Sequence, residues 1–325
     1  MRERHVWWGI ANLALSIAII GAAIWTFLNR QELIDWWRLN GYTPPAGIVA
    51  LADAATMEGK GRTVFYVSHP EVNDRSTFNK NCTDTGEESL VLGCYAMQRI
   101  YIYNVTDARF SGVKEVTAAH EMLHAAYDRL DDSEKQRVNK LLEAQLAKTK
   151  DDRLQGLINL YNKHEPGQLL NEMHSILGTE FRDLSPELEA YYTQYLKDRN
   201  KVVGLAEAYE GVFTASKERL ALLDAQLADL KKQIDVNYTE LDNRQREINA
   251  ESARLNQLRN SDPDAYNQAV PGYNAMVRSY NATVNETRSL VSRYNALVVQ
   301  RNNEVAAQND LYHSLDSTYQ TVPTN

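Results

Sequence analysis

Apolar residues recur every seven positions through much of the last third of this 325-residue chain. The first run consists of Leu220, Leu227, Ile234, Leu241, Ile248 and Leu255, and the second of Val277, Val284, Val291, Val298 and Val305. Polar residues weaken the companion position of the first run at Asn237, Arg244 and Glu251. A repeat of seven is typical of helices that pack as a coiled coil. Because the segment NSDPDAYNQAVPG separates the runs, the pattern predicts an antiparallel coiled-coil hairpin over 204–312, followed by a disordered tail at 313–325.

A long uncharged stretch lies near the N-terminus, from Ile10 to Leu28. Nineteen residues at helical rise span roughly 28 Å, which is close to the hydrocarbon thickness of a bilayer. Interfacial anchors are present on both sides in the form of Trp7, Trp8, Trp25, Trp36 and Trp37. We therefore expect residues 1–43 to be an uncleaved transmembrane anchor and juxtamembrane segment, with residues 10–28 inside the membrane. A cleaved signal peptide is the alternative.

The chain contains two cysteines, Cys82 and Cys94, on either side of a turn-rich segment. A disulfide between them would close a short loop and would persist only in an oxidising compartment. The alternative is two free buried thiols. We expect the disulfide, and with it a single-pass membrane protein whose N-terminus is cytoplasmic and whose C-terminal bulk is extracytoplasmic. The net charge of −8 and the absence of a long basic run argue against nucleic acid as a partner.

Between the anchor and the heptads, strand patterns come first and helical patterns follow. Alternation and β-branched or aromatic residues predict strands at Thr63–Ser68 and Arg99–Val105. Helical spacing dominates from about residue 114 onward. This order predicts an α+β fold for residues 44–203, with a short β-sheet and several helices.

The segment VTAAHEMLHAAY places two histidines four residues apart within that helical region. His120 and His124 therefore lie on one helix face and can direct a nitrogen toward the same point, as the first two ligands of tetrahedral zinc must. Glu121 is close enough to take a proton from a metal-bound water without being a ligand itself. A solvent-facing helix with incidental histidines is the alternative, and the apolar neighbours on every side argue against it.

A second segment, NEMHSILGTE, extends the pattern. Together the segments resemble the gluzincin metallopeptidases, whose signature is His-Glu-x-x-His on one helix and a glutamate ligand on a later helix. The matching residues are His120, Glu121 and His124, followed by Asn171, Glu172 and Ser175. The resemblance covers roughly residues 114–182 and implies a zincin-like domain, with Zn²⁺ bound by His120, His124 and Glu172 and with Glu121 as the general base.

Several assignments stay open at this point. His174 and Glu180 are alternative third ligands, although Glu172 and His174 cannot face the same ion because two helical positions differ by about 200°. The stabiliser of the transition state could be any of Tyr161, His164, Tyr191 and Tyr192. In zinc peptidases of this kind an edge strand beside the active-site helix holds an extended substrate, and Arg99–Val105 is the predicted strand.

The sequence thus predicts a membrane-anchored zinc metallopeptidase that hydrolyses peptide bonds outside the cytoplasm. Its expected partners are a peptide or protein substrate, the membrane, and a protein that binds the hairpin. One alternative is a non-catalytic structural or adhesive coiled-coil protein with a degenerate metal domain. Another is an enzyme that hydrolyses amide bonds of peptidoglycan.

Overall fold

The computed structural model of the protein describes residues 2–82, 91–164 and 167–318, and this part of the chain is mainly helical. The helices in chain order are α1 Arg2–Leu28, α2 Arg30–Leu39, α3 Ala46–Ala54, α4 Lys60–Val67, α5 Arg75–Asn81, α6 Val113–Asp128, α7 Asp132–Lys148, α8 Asp152–His164, α9 Leu169–Glu180, α10 Pro186–Tyr192, α11 Arg199–Ser261 and α12 Pro263–Leu315. A 3-10 turn lies at Ala108–Phe110, and the strands are β1 Glu71–Asn73, β2 Gly93–Ala96 and β3 Arg99–Tyr103. The α+β prediction is therefore wrong, because a small sheet accompanies a mainly helical fold.

The predicted transmembrane anchor is also wrong. Among the residues that the structure describes, no helix combines the length and the apolar character that crossing a bilayer requires. The uncharged stretch belongs to α1, which starts among the charged residues Arg2, Glu3 and Arg4, and polar Asn12 and Ser16 interrupt its apolar part. The predicted single-pass localisation depended on this segment and is not retained.

The sheet has the strand order β1-β3-β2 within the described residues. β1 runs parallel to β3, and β2 pairs with β3 in antiparallel register, with Gly93 opposite Ile102. Met97 and Gln98 connect β2 to β3, and both have positive φ angles, of 50° and 60°. Two consecutive positive φ angles are the geometry of a tight type I′ hairpin turn.

The segment predicted as the strand Thr63–Ser68 forms helix α4 instead. Its buried residues are Gly61, Val64, Phe65 and Val67, whose separations of three and four positions are those of a helix face and not of a strand. Packing thus overrides the β preference of the branched and aromatic side chains, as tertiary contacts commonly do.

Helix α6 lies at the centre of the hydrophobic core. It packs against α3, α4 and α9 and against both β2 and β3. Its residues Ala118, Ala119, Met122, Leu123 and Ala125 are completely buried. The disulfide Cys82–Cys94 is formed and joins the end of α5 to β2, which contacts the same helix.

The chain divides into two compact units, Met1–Glu210 with His313–Asn325, and Gly211–Tyr312. The core, the sheet and both motif segments belong to the first unit. The predicted disordered tail begins inside α12, which continues to Leu315, and residues 319–325 of that tail lie outside the described part of the chain.

In the second unit the two long helices are antiparallel. Contacts pair Asp224 with Arg301 at 2.6 Å and Arg244 with Ser279, so residue numbers rise on one helix as they fall on the other. The connection between the two helices is much shorter than the predicted loop NSDPDAYNQAVPG, because α11 ends at Ser261 and α12 starts at Pro263. Asp262 caps it by accepting a hydrogen bond from the Ala265 amide at 3.0 Å. Pro at the first position of a helix costs little, since its missing N–H would have no partner there.

The seam between these helices contains a polar interruption. Thr283 and Thr287 are buried on α12, and the Thr287 hydroxyl donates to the Thr283 carbonyl within its own helix at 2.7 Å. On α11, the Asn237 side-chain nitrogen is buried without a hydrogen-bond partner among the described residues. An unsatisfied buried donor destabilises the folded state, although a polar seam residue can help to fix helix register.

We expect Asn237→Leu to raise the free energy of unfolding of the full-length protein by about 1–2 kcal/mol, because it removes an unsatisfied buried donor and adds apolar contact. Guanidinium titrations followed by circular dichroism measure the change. The control is Asn256→Leu at an exposed position of the same helix, for which we expect a change within about 0.5 kcal/mol. Equal stability of the two variants, or a loss at Asn237, would contradict the prediction.

Candidate metal centre

His120 and His124 occupy successive turns of α6, and their side chains converge. The two Nε2 atoms are 3.0 Å apart, although their rings are inclined by 67°. Helix α9 packs against α6 and contributes Glu172, whose Oε2 lies 3.6 Å from His124 Nε2 and 3.9 Å from His120 Nε2. His124 and Glu172 are buried, and His120 is partly exposed. The structure thus brings together the three residues that the sequence analysis assigns as zinc ligands.

The spacing of these donor atoms suits a small tetrahedral cation. Zinc bonds of about 2.0–2.1 Å at tetrahedral angles keep neighbouring ligand atoms about 3.3 Å apart. The observed separations of 3.0, 3.6 and 3.9 Å lie on both sides of that value. Small rotations of the side chains would bring all three atoms to the distances that Zn²⁺ requires.

Burial keeps the two imidazoles neutral. It lowers the pKa of His124 to about 4, against the opposing effect of the hydrogen bond that His124 donates to Asn171. It also lowers the pKa of His120 well below its usual value, and the charges that His124 and His174 would carry if protonated lower it further. A neutral imidazole has one nitrogen lone pair available, which is the form that binds a metal.

Asn171 determines which nitrogen of His124 has that lone pair. The Asn171 Oδ1 atom lies 3.0 Å from His124 Nδ1, and the Asn171 amide nitrogen donates to Gln168 Oε1 at 3.3 Å. Because the Asn171 oxygen can only accept, His124 Nδ1 donates the proton and Nε2 is left with its lone pair directed toward His120. Partners of this kind fix the tautomer and ring orientation of metal-binding histidines.

Glu121 lies beside these residues and is buried, with 6% of its surface exposed. Its carboxylate borders Gly93 of β2, which is so close that any Cβ at Gly93 would overlap it. The arrangement therefore buries a second carboxylate, besides that of Glu172, on the helix that carries His120 and His124. Neither Gly93 nor the tautomer-setting role of Asn171 follows from the sequence analysis; only the position of Asn171 beside Glu172 was a signal.

His174, an alternative ligand in the sequence analysis, faces the opposite side of α9. It is completely buried, its Nε2 lies 2.9 Å from the Tyr191 hydroxyl, and its ring packs against Tyr127 and Tyr192. Burial lowers its pKa to about 3. The contacts make His174 part of the core that holds α9, and they do not bring it to the imidazole pair.

Glu180, the other alternative ligand, forms an ion pair with Arg153 of α8. Arg153 Nη2 also lies 2.6 Å from Glu210 Oε1. Burial raises the pKa of Glu210 to about 7; Arg153 opposes this shift and Glu180 adds to it. Two partly buried carboxylates thus share one guanidinium, and Glu180 is committed to this cluster.

The residues predicted to stabilise the transition state lie in different places. Tyr191 and Tyr192 belong to the core, where the Tyr192 hydroxyl donates to the His174 carbonyl at 2.7 Å. Tyr161 is buried in the core on α8. The side chain of His164 lies outside the described part of the structure. The oxyanion role therefore stays unassigned among these four residues.

Comparison with known proteins identifies no relative. No family model matches the chain, and neither a curated protein nor a solved structure is similar to it. The resemblance to gluzincins therefore depends on the two short motifs alone, and the terms metalloprotease and zinc gain no support from known families or homologues.

The arrangement of donors predicts one Zn²⁺ per chain. We expect chelator-treated protein dialysed against Zn²⁺ to retain about one equivalent, as measured by inductively coupled plasma mass spectrometry, and to gain thermal stability. His120→Ala and Glu172→Ala each remove a ligand and should abolish both effects. The control Glu143→Ala, at an exposed position on α7, should retain them. Absence of zinc from the unmodified protein, or full retention in both ligand variants, would contradict the assignment.

The Glu210 cluster predicts a pH-dependent stability. Because the folded pKa of Glu210 is raised, the folded state binds its proton more tightly than the unfolded state does. The resulting stabilisation is complete below a pH of about 4.5 and is lost as the pH rises through about 7. Glu210→Gln should remove about 1–2 kcal/mol of this pH dependence, after allowance for solvent screening. Thermal unfolding from pH 5 to pH 8 measures it, and Glu143→Gln, at an exposed site, should leave the unmodified profile in place.

Proposed function

We propose that the first unit is a zinc-dependent metallopeptidase. The observation that carries this proposal is the convergence of His120, His124 and Glu172, with the carboxylate of Glu121 at the next position of the same helix. Hydrolytic zinc sites use three protein ligands and a nearby general base, and these four side chains are of the types that such a site requires.

The residues of the chain divide the expected chemistry between them. Zinc, when bound, would supply a Lewis acid that polarises a carbonyl group and lowers the pKa of water to about 7. Glu121 would accept the proton of the attacking water and return it to the leaving amine, as a general acid–base group does. Asn171 would keep the His124 ring in the orientation that binding requires. The buried position of Glu121 strengthens these interactions, because little water screens them.

The position of β2 supports a peptide as the substrate. The predicted substrate strand, Arg99–Val105, corresponds to β3, which is the central strand and has a neighbour on each side. β2 also contacts α6, and no strand of the described residues pairs with its outer edge. The Tyr103 amide donates to the Leu92 carbonyl at 2.8 Å. In an antiparallel pair the bonded residues alternate, so the backbone groups of Gly93 and Tyr95 point outward.

An extended peptide can add to such an edge by main-chain hydrogen bonds. Its scissile bond would then lie near Glu121, because Gly93 borders that side chain. This placement favours a peptide chain over a compact small molecule as the substrate class.

We expect Glu121→Gln to lower kcat by about 10²–10⁴-fold, which is the usual contribution of a general base. The zinc content should stay at one equivalent, because Glu121 is not among the converging ligands. Hydrolysis of casein and of a fluorogenic peptide library by zinc-loaded, full-length protein measures the rate. Glu115→Gln, a matched change on the same helix, should retain the unmodified activity.

Three results are informative. The peptidase proposal would be wrong if the zinc-loaded protein hydrolysed no peptide. It would also be wrong if Glu121→Gln and the unmodified protein hydrolysed peptides at equal rates. Cleavage of muropeptides without cleavage of unfolded protein would instead identify an amide bond of peptidoglycan as the substrate.

A further inference from the structure

Gly93, the first residue of β2, lies directly against the side chain of Glu121. A Cβ atom at this position would lie 2.7 Å from Glu121 Oε1 and 2.8 Å from its Cγ. It would also lie 2.5 Å from the Cγ2 atom of Thr117, one turn earlier on α6. Carbon atoms in contact are normally about 3.5–4.0 Å apart, so a side chain at residue 93 requires a neighbour to move.

The requirement for glycine at this position is spatial and not conformational. Among the described residues, the glycines with positive φ are Gly41, Gly59 and Gly112, and Gly93 is not one of them. Gly93 instead pairs opposite Ile102 in a regular antiparallel ladder, in which other residues are favoured. A glycine in a strand often marks a place where another group approaches closely, and here that group is the Glu121 carboxylate.

Several contacts hold β2 at a fixed distance from α6. Cys94, the next residue, is tied by the disulfide to the end of α5. The Tyr95 hydroxyl donates to Asp128 at 3.2 Å and accepts from Arg129 at 3.2 Å, which fixes β2 to the end of α6. Helix α6 is itself buried in the core. The side chains of Thr117 and Glu121 are therefore the groups that a side chain at residue 93 would displace, and Glu121 has the longer and more flexible of the two.

We infer that Gly93 is a positioning residue for Glu121, an inference that rests on the proposed peptidase function. The missing side chain at Gly93 creates the space in which the general base is held beside the zinc ligands. A methyl group there would push the carboxylate away by about 1 Å, the difference between the contact above and ordinary van der Waals separation. A shift of that size in a reacting group can lower a rate by about 10²-fold.

The decisive experiment compares zinc-bound crystal structures and kinetics of the full-length protein and its Gly93→Ala variant. We expect the Glu121 carboxylate to shift by about 1 Å while His120, His124 and Glu172 keep their positions. Zinc content should stay at one equivalent and KM should change little, while kcat falls by about 10²-fold. An unmoved Glu121 carboxylate, with β2 absorbing the methyl group, would overturn the inference.

A double-mutant cycle separates positioning from general destabilisation. If Gly93 acts through Glu121, adding Gly93→Ala to Glu121→Gln should lower kcat no further, because the two changes remove the same contribution. Additive losses would contradict the inference. The controls are Gly156→Ala, where a Cβ meets open space, and Gly61→Ala, where it meets the Tyr195 backbone. Gly156→Ala should leave kcat unchanged. Gly61→Ala should lower the stability of the protein, and its effect on kcat should add to that of Glu121→Gln.

A second variant keeps the test informative if Gly93→Ala folds poorly. Thr117→Ala combined with Gly93→Ala removes the closest overlap and leaves the contact with Glu121 in place. The displaced carboxylate and lower kcat should persist in this double variant. If the unmodified protein has no peptidase activity, the peptidase proposal fails, and the crystal structures still decide whether Gly93 positions Glu121. If the unmodified protein is active and Gly93→Ala is equally active, only the inference about Gly93 fails.

Discussion

The candidate site depends on the close packing of α6 against α9. This contact brings Glu172 within 4 Å of both imidazoles and carries His124 to Asn171. Gly178 permits the approach, because a Cβ there would lie 2.4 Å from Leu123. On the far side of α9, His174 and Tyr191 are hydrogen-bonded inside the core and fix the rotation of the helix. A rotation of α9 large enough to present His174 to the imidazoles would move Glu172 into the aromatic cluster that His174 now occupies. Burial of this carboxylate among aromatic side chains would cost the desolvation free energy of a charged group.

Burial makes these polar residues expensive unless they have a partner. Transfer of a hydrogen-bonding group from water into an apolar environment costs several kcal/mol when its hydrogen bonds to water are not replaced. The neutral state of His120 and His124 reduces this cost but leaves two nitrogen atoms 3.0 Å apart, and at most one proton fits between them. A divalent cation is the species that would use both lone pairs and the Glu172 carboxylate together. The buried, converging donors thus favour a metal independently of the resemblance to gluzincins, which no family model supports.

The parts that sequence could predict are those with a local cause. The spacing of His120 and His124 follows from one helix. The helix start at Pro263 was missed, because the sequence around it was interpreted as a loop. Two predictions were wrong for reasons that lie outside the local sequence. The segment at Thr63 is helical because its buried positions follow the core, and β3 is central because the distant β1 pairs with it. A third prediction, the transmembrane anchor, is wrong because the described part of the chain contains no helix with the length and apolar character needed to cross a membrane. The need for glycine at position 93 could not have been predicted, because it comes from a contact with Glu121 on another element.

Accurate placement of Glu121 requires that β2 be fixed at both ends, and helix α2 contributes to this. At the tip of the hairpin, Met97 and Gln98 adopt left-handed backbone angles that cost non-glycine residues about 1–2 kcal/mol each. Arg38 of α2 donates to the Gln98 side chain at 2.7 Å and to its carbonyl at 2.9 Å, which offsets this cost. Asp35 of the same helix lies 3.5 Å from Arg129, the residue that also binds Tyr95. Helix α2 thus holds the hairpin tip and the end of α6 in one frame, while the disulfide holds the other end of β2. The carboxylate of Glu121 lies between two elements whose separation is set at both ends, which is the condition a general base needs to act at a fixed distance from its substrate.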